Sequence, residues 1–303
     1  MAATRETTWK EWLITDMPGS AMQARLGSGY RAWLSLARSR TSMFGLSVLL
    51  VMAFLAVFAP LVTPYAPNAM AVELRLQPPS WDHWFGTDEL GRDIYTRVVY
   101  GSRVSLSIAL VVALIVVPIG LFVGMTAGYF GGMIDRVLMR VTDIFLAFPR
   151  LVLALALVTA VEPGIGSAIF AIAVTSWSPV ARLARAETLV IRRSDYIHAA
   201  RQQGASSLRI LWRYIAPMCM PSVIVRVTLD MANVVLIAAG LGFLGLGAQP
   251  PLAEWGAMLS TGRSYLYDSW WVATFPGLAL LLASLALNLL GDGLRDVFDP
   301  RQD

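Results

Sequence analysis

Apolar residues in this chain gather into six runs, 43–63, 104–127, 141–160, 164–180, 215–244 and 270–290, separated by breaks rich in arginine, glycine and proline. Each run is long enough to cross a bilayer as a helix, in which every backbone polar group is satisfied internally; the first would measure about 31 Å against a hydrocarbon core of ~30 Å. Some forty residues with several arginines precede that first run, and it is too long for the apolar part of a signal peptide, so it reads as an uncleaved span. The pattern therefore predicts an all-α integral membrane protein of six transmembrane helices. It divides into an N-terminal tail (1–42), a first transmembrane helix (43–63), an outer loop (64–103), a five-helix core (104–291) and a C-terminal tail (292–303). Prolines at 118, 149 and 276 should kink or locally open their helices. Gly120, Gly124 and Gly128 repeat every four residues and should let a second helix pack closely on that face.

Between the fourth and fifth runs lies a polar segment, 194–213. Ser194 should cap a short helix, Asp195 favours its first turn, and Gly204 is suited to the left-handed turn that ends it. Ser206 or Ser207 can start the next helix. A helix–turn–helix across the membrane face results, with a small-residue surface at Ala199, Ala200 and Ala205 flanked by Arg201. Small side chains at a turn let another protein pack against the backbone, whereas the competing reading is an amphipathic helix resting on lipid headgroups.

Composition agrees with a bilayer as the main solvent: 56% of the 303 residues are hydrophobic and 15% are charged. Outside the spans, an inward N-terminus places seventeen basic residues in the cytoplasm and five outside. The positive-inside rule then puts both termini in the cytoplasm. Cys219 is the only cysteine, which excludes an intrachain disulfide, and His83 and His198 form no metal-site spacing, so neither metal nor cofactor is expected in this chain. Lys10, the only lysine, has no glycine-rich turn before it, so no phosphate loop of the usual kind is present. Gly240, Gly242 and Gly245 spell G-x-G-x-x-G after a membrane-length apolar run instead of a strand, which favours helix packing over a dinucleotide site.

Charges inside spans cost about 2.5–3.5 kcal/mol at the bilayer centre and normally face protein or water. Arg226 and Asp230, one turn apart, read as an intrahelical pair or as a polar wall of a pathway continued by Asn233. Asp143 and Arg150 lie two turns apart on the third run, with Asp143 near the cytoplasmic end. The outer loop carries Trp81 and Trp84 among acidic residues, suiting either interfacial anchoring or a receiving surface for another protein.

Ala199-Ala200, Gly204 and Ile215-Ala216-Pro217 resemble the cytoplasmic signature of binding-protein-dependent ABC importer permeases, whose usual form is Glu-Ala-Ala, Gly and Ile-x-Leu-Pro. Here His198 stands in place of the Glu, Tyr214 at the usual Ile position with Ile215 beside it, and Ala216 in place of the Leu. Three more segments narrow the likeness to the dipeptide, oligopeptide and nickel branch, in the manner of its second permease. They are Phe85-Gly86-Thr87-Asp88-Glu89-Leu90-Gly91-Arg92-Asp93, then 242–251 with Glu254-Trp255-Gly256, and Gly291-Asp292-Gly293-Leu294-Arg295-Asp296 with Asp299-Pro300. The resemblance covers residues 44–301. It implies a type I ABC importer permease fold in the bacterial inner membrane and import of small solutes, di- or oligopeptides first among them. It also implies a second homologous permease, two cytoplasmic ATPase subunits that bind ATP and Mg, and an extracytoplasmic binding protein, with no nucleic acid and no covalent chemistry in this chain. Asp195, Tyr196, His198, Ala199, Ala200, Arg201, Gly204, Ala205 and Pro217 would form the ATPase-coupling segment. The rival is a self-sufficient ion-coupled secondary transporter, whose carboxylate would be Asp143 or Asp230.

Overall fold

The computed structural model describes residues 9–15 and 19–298. Arg5, Asp299, Pro300 and Arg301, and with them parts of both tails, lie outside the described residues. Among the described residues the chain is helical, with no strand beyond a single bridge between Thr87 and Asp93. Helices α1 (Trp9–Ile14) and α2 (Ala21–Arg38) precede the first span, α3 (Arg40–Val57), which is followed by the one-turn α4 (Ala59–Val62). The core then runs α5 (Ile94–Phe130), α6 (Gly132–Ala147), α7 (Arg150–Thr159), α8 (Ile165–Ile191), α9 (Asp195–Gln202), α10 (Ser207–Ile210), α11 (Ala216–Phe243), α12 (Trp255–Gly262) and α13 (Trp271–Phe298). A π turn, Leu211–Ile215, joins α10 to α11.

Five helical stretches are long and apolar enough to cross a membrane. The sixth candidate is the pair α6 and α7, bent by 91° at Phe148–Pro149. The kink expected at Pro149 is thus a sharp break between two helices. Proline disfavours the helical conformation in the residue before it, and Phe148 accordingly sits extended at φ −94°, ψ 142°. Pro118, Pro179, Pro221 and Pro276 all remain inside continuous helices. The fourth span is also no short element, because α8 continues past Pro179 to Ile191.

The core is built on α5 against α8. A Cβ on Gly120 would lie 2.6 Å from the Val180 Cβ, one on Gly124 2.2 Å from the Ala181 carbonyl oxygen, and one on Gly128 2.8 Å from the Thr188 Cβ. Those three glycines therefore bring two backbones to a separation that side chains would forbid. Around that seam Val112, Val116, Met125, Ile172, Val180 and Ala184 are buried together with Ile215, Val223 and Val235 of the π turn and α11. On the other side α13 packs on α3, where a Cβ on Gly45 would meet the Ala286 carbonyl at 2.7 Å.

Candidate functional site

The segment after α8 is a compact appendage pinned to the core. Arg192, at the C-cap of α8, donates to the carbonyls of Gly128 (2.6 Å) and Tyr129 (3.2 Å) at the end of α5. Helix α9 follows, with Ser194 at its N-cap position; its hydroxyl donates back to Ile191 O at 2.8 Å instead of capping α9, which corrects the expected side-chain cap. Gly204 takes φ +78°, and the Ala205 N–H closes the helix end on Ala200 O at 3.1 Å. Ser206 caps α10 by accepting from the Arg209 N–H at 3.4 Å.

Ile197 and Ala200, three residues apart, face inward and are 0% and 5% exposed. The opposite face, with Asp195, Tyr196, His198, Ala199 and Arg201, is exposed, as are Gly204 and Pro217, while Ala205 is half-buried. The expected small-residue surface is thus corrected: Ala200 belongs to the anchor, and Ala199 is the small residue on the outer face. Arg201 lies 5.0 Å over the Tyr129 ring, and Tyr196 packs 5.3 Å from Tyr214, tying the appendage to α5 and to the π turn.

The intramembrane charges form a network that crosses helices. Arg226 donates to Asp230 at 3.2 Å within α11, and Arg150, brought round by the bend before α7, reaches the same carboxylate at 3.4 Å. Asp143 pairs with Arg182 of α8 rather than associating with Arg150. Asn233 is exposed one turn beyond Asp230. Arg185 of α8 holds Asp135 of α6 through two bonds of 2.5 and 2.6 Å. Among the described residues no group of three or more His, Cys, Asp or Glu side chains is placed to hold a metal ion.

Outside the bundle the 85–93 segment folds on itself. Asp88 accepts from the Leu90 and Arg92 N–H groups and from the Arg92 side chain, at 2.9, 2.9 and 2.7 Å. Asp93 caps α5 through the Thr96 N–H at 2.8 Å and meets His83 at 2.9 Å. Gly86 and Gly91 take positive φ values of 74° and 72°. Glu254 likewise caps α12 through Gly256 and Ala257 N–H, both at 2.9 Å, and burial pushes its carboxyl above the usual range against those two bonds. The indole of Trp255 donates to Val98 O at 3.0 Å, locking α12 onto α5. The two segments sit at one end of the bundle, where 88–97 and 242–261 contribute to the lining of one hollow, and form a folded cap there; Asp93, an acidic residue at the N-cap of α5, is the signal the sequence carries for the helix start.

Residues 117–303 match the family model described as the inner membrane component of binding-protein-dependent transport systems, and residues 29–79 match the N-terminal transmembrane domain of oligopeptide transport permease C. The chain belongs to that transport permease family. The putative peptide transport system permease protein of Brucella suis is 45% identical over 266 residues, covering 88% of this chain and 90% of that protein. The dipeptide transport system permease protein DppC of Escherichia coli is 45% identical over 275 residues, covering 89% and 92%. The probable D,D-dipeptide transport system permease protein DdpC of the same organism is 42% identical over 279 residues, covering 92% and 93%. Among solved structures, an inward-facing form of the MetNI methionine ABC transporter superposes with a TM-score of 0.53 at 20% identity, over 67% of this chain and 97% of that one. The permease therefore has the type I importer fold. None of these matches lends support to an ion-coupled secondary transporter.

Proposed function

We propose that this permease is one of a pair of membrane subunits in an ATP-driven importer of short peptides, and that α9 is the lever through which two cytoplasmic ATPase subunits, holding ATP and Mg, move the bundle. Likeness to peptide transport permeases across nine-tenths of both chains carries the substrate class. The lever reading rests on α9 itself. Its outer face is open for a partner, while Ile197 and Ala200 fasten it to the core, so a push on α9 is passed to α5 and α11 instead of being lost in a loose loop. Small Ala199 admits close approach, and the exposed Arg201 offers charge to an acidic rim. Both termini are cytoplasmic in this reading, and an extracytoplasmic binding protein delivers the peptide to the side of the outer cap. Closure of the ATPases then shifts the bundle between its inward-open and outward-open arrangements.

The test is reconstitution. Vesicles holding this chain, its homologous partner and the ATPases, supplied with binding protein, should accumulate a dipeptide only when ATP is present. Accumulation by this chain alone under an ion gradient would overturn the reading.

A further inference from the structure

At the bend before α7, three guanidinium groups from three helices face one hollow of about 430 Å³. Arg150 comes from α7, Arg182 from α8 and Arg226 from α11, with Leu146 and Pro179 completing the wall. No carboxylate lines it. Asp230 is divided between Arg150 and Arg226, and Asp143 answers Arg182, so three positive charges are met by two negative ones. Two of the three guanidinium groups are accessible: the Arg182 and Arg226 side chains are 57% and 43% exposed, as is Asp143 at 54%, whereas Asp230 is 12% exposed. Arg226 stands ten residues into α11 (226 minus 216) and Arg182 nine residues from the end of α8 (191 minus 182). At ~1.5 Å per residue these positions lie about 15 and 14 Å inside the helix ends. Charged groups of this kind are costly against lipid tails and normally face protein or water.

We propose that this hollow binds the C-terminal carboxylate of the peptide in transit. The inference rests on the peptide reading above. Guanidinium groups match a carboxylate through paired parallel hydrogen bonds. The surplus charge makes the site attractive to an anion, and the sharing of Asp230 keeps it from holding one too tightly for release.

A photo-reactive dipeptide bearing a diazirine side chain, added at millimolar concentration to the whole importer in nanodiscs without binding protein, tests it. Labelling should map to 146–150 and 179–186. Unlabelled dialanine should compete, and dialanine amide should compete at least about tenfold less well, as expected for loss of a charged hydrogen-bond partner. Arg182→Gln should weaken labelling and Asp143→Asn, which frees Arg182, should strengthen it. Both positions are exposed, and misfolding cannot produce the second result. Equal competition by the amide, labelling elsewhere, or indifference to both substitutions overturns the proposal. So does co-purified phosphatidylglycerol that dialanine fails to displace and that Arg182→Gln releases, which would make the occupant a lipid phosphate. If the complete importer accumulates dipeptide while labelling misses the hollow, only this inference falls; if no dipeptide is accumulated, the peptide reading falls with it.

Discussion

Gly124 shows how little room the bundle allows, since an added Cβ would sit 2.2 Å from a backbone oxygen of α8 that has no rotamer to move. Gly124→Ala should therefore lose about 1–3 kcal/mol to overpacking, more than the ~1 kcal/mol that helix propensity returns. Gly166→Ala, whose Cβ meets nothing within 4 Å, should leave the melting temperature in detergent unchanged or slightly higher. Equal melting of both variants would argue against the seam. Glu254 gives a pH signature at the same scale. Its carboxyl is raised above 4.5 in the fold, mainly by burial. A raised carboxyl contributes its stability below the unfolded value and loses it as pH rises through the folded one. The stability of the wild type relative to Glu254→Gln should thus be greatest below pH 4.5 and decline as pH rises above it; thermal melts over that range decide the sign. The four-residue glycine spacing was legible in the sequence because helix periodicity alone fixes which residues share a face. The buried state of Glu254 was not, because it depends on α12 folding back onto α5.

At the scale of elements, the bend at Pro149 and the anchoring of α9 have the largest consequences. Reversing the Arg226–Asp230 pair in both members would restore a simple intrahelical pair, but here it would set an arginine at 230 against Arg150. The double reversal should therefore recover little of the melting temperature in detergent that the single reversals lose, and a triple variant that also carries Arg150→Asp should recover more; full recovery by the double variant would contradict the network. Ile197→Ala should weaken the hold of α9 by about 2–5 kcal/mol. Released from the core, α9 should show faster amide exchange at 195–204 while α5 and α8 remain protected. The existence and ends of α9 were legible, since Asp195 in the first turn and Gly204 at the end are local signals, although the Ser194 hydroxyl turns back to α8. Which alanine faced outward was not, because a helix of two turns has too few apolar positions for its inner face to be fixed by period. The 91° bend was foreshadowed by Pro149, but proline forbids one conformation without specifying the angle that replaces it, so the Arg150–Asp230 and Arg182–Asp143 pairs could not be foreseen.

For the whole molecule, the account is that a soluble engine reaches the membrane bundle through one short helix. The chain offers a clean probe of this, because its only cysteine, Cys219, is buried and 0% exposed. A single cysteine placed by Ala199→Cys would be the sole accessible thiol of this chain, which is followed by its own mass. In permease pairs without ATPases, a maleimide should modify it rapidly. In the complete importer the same thiol should be protected, and its modification beforehand should abolish ATP-dependent uptake. Equal rates of modification with and without the ATPases would contradict the central claim.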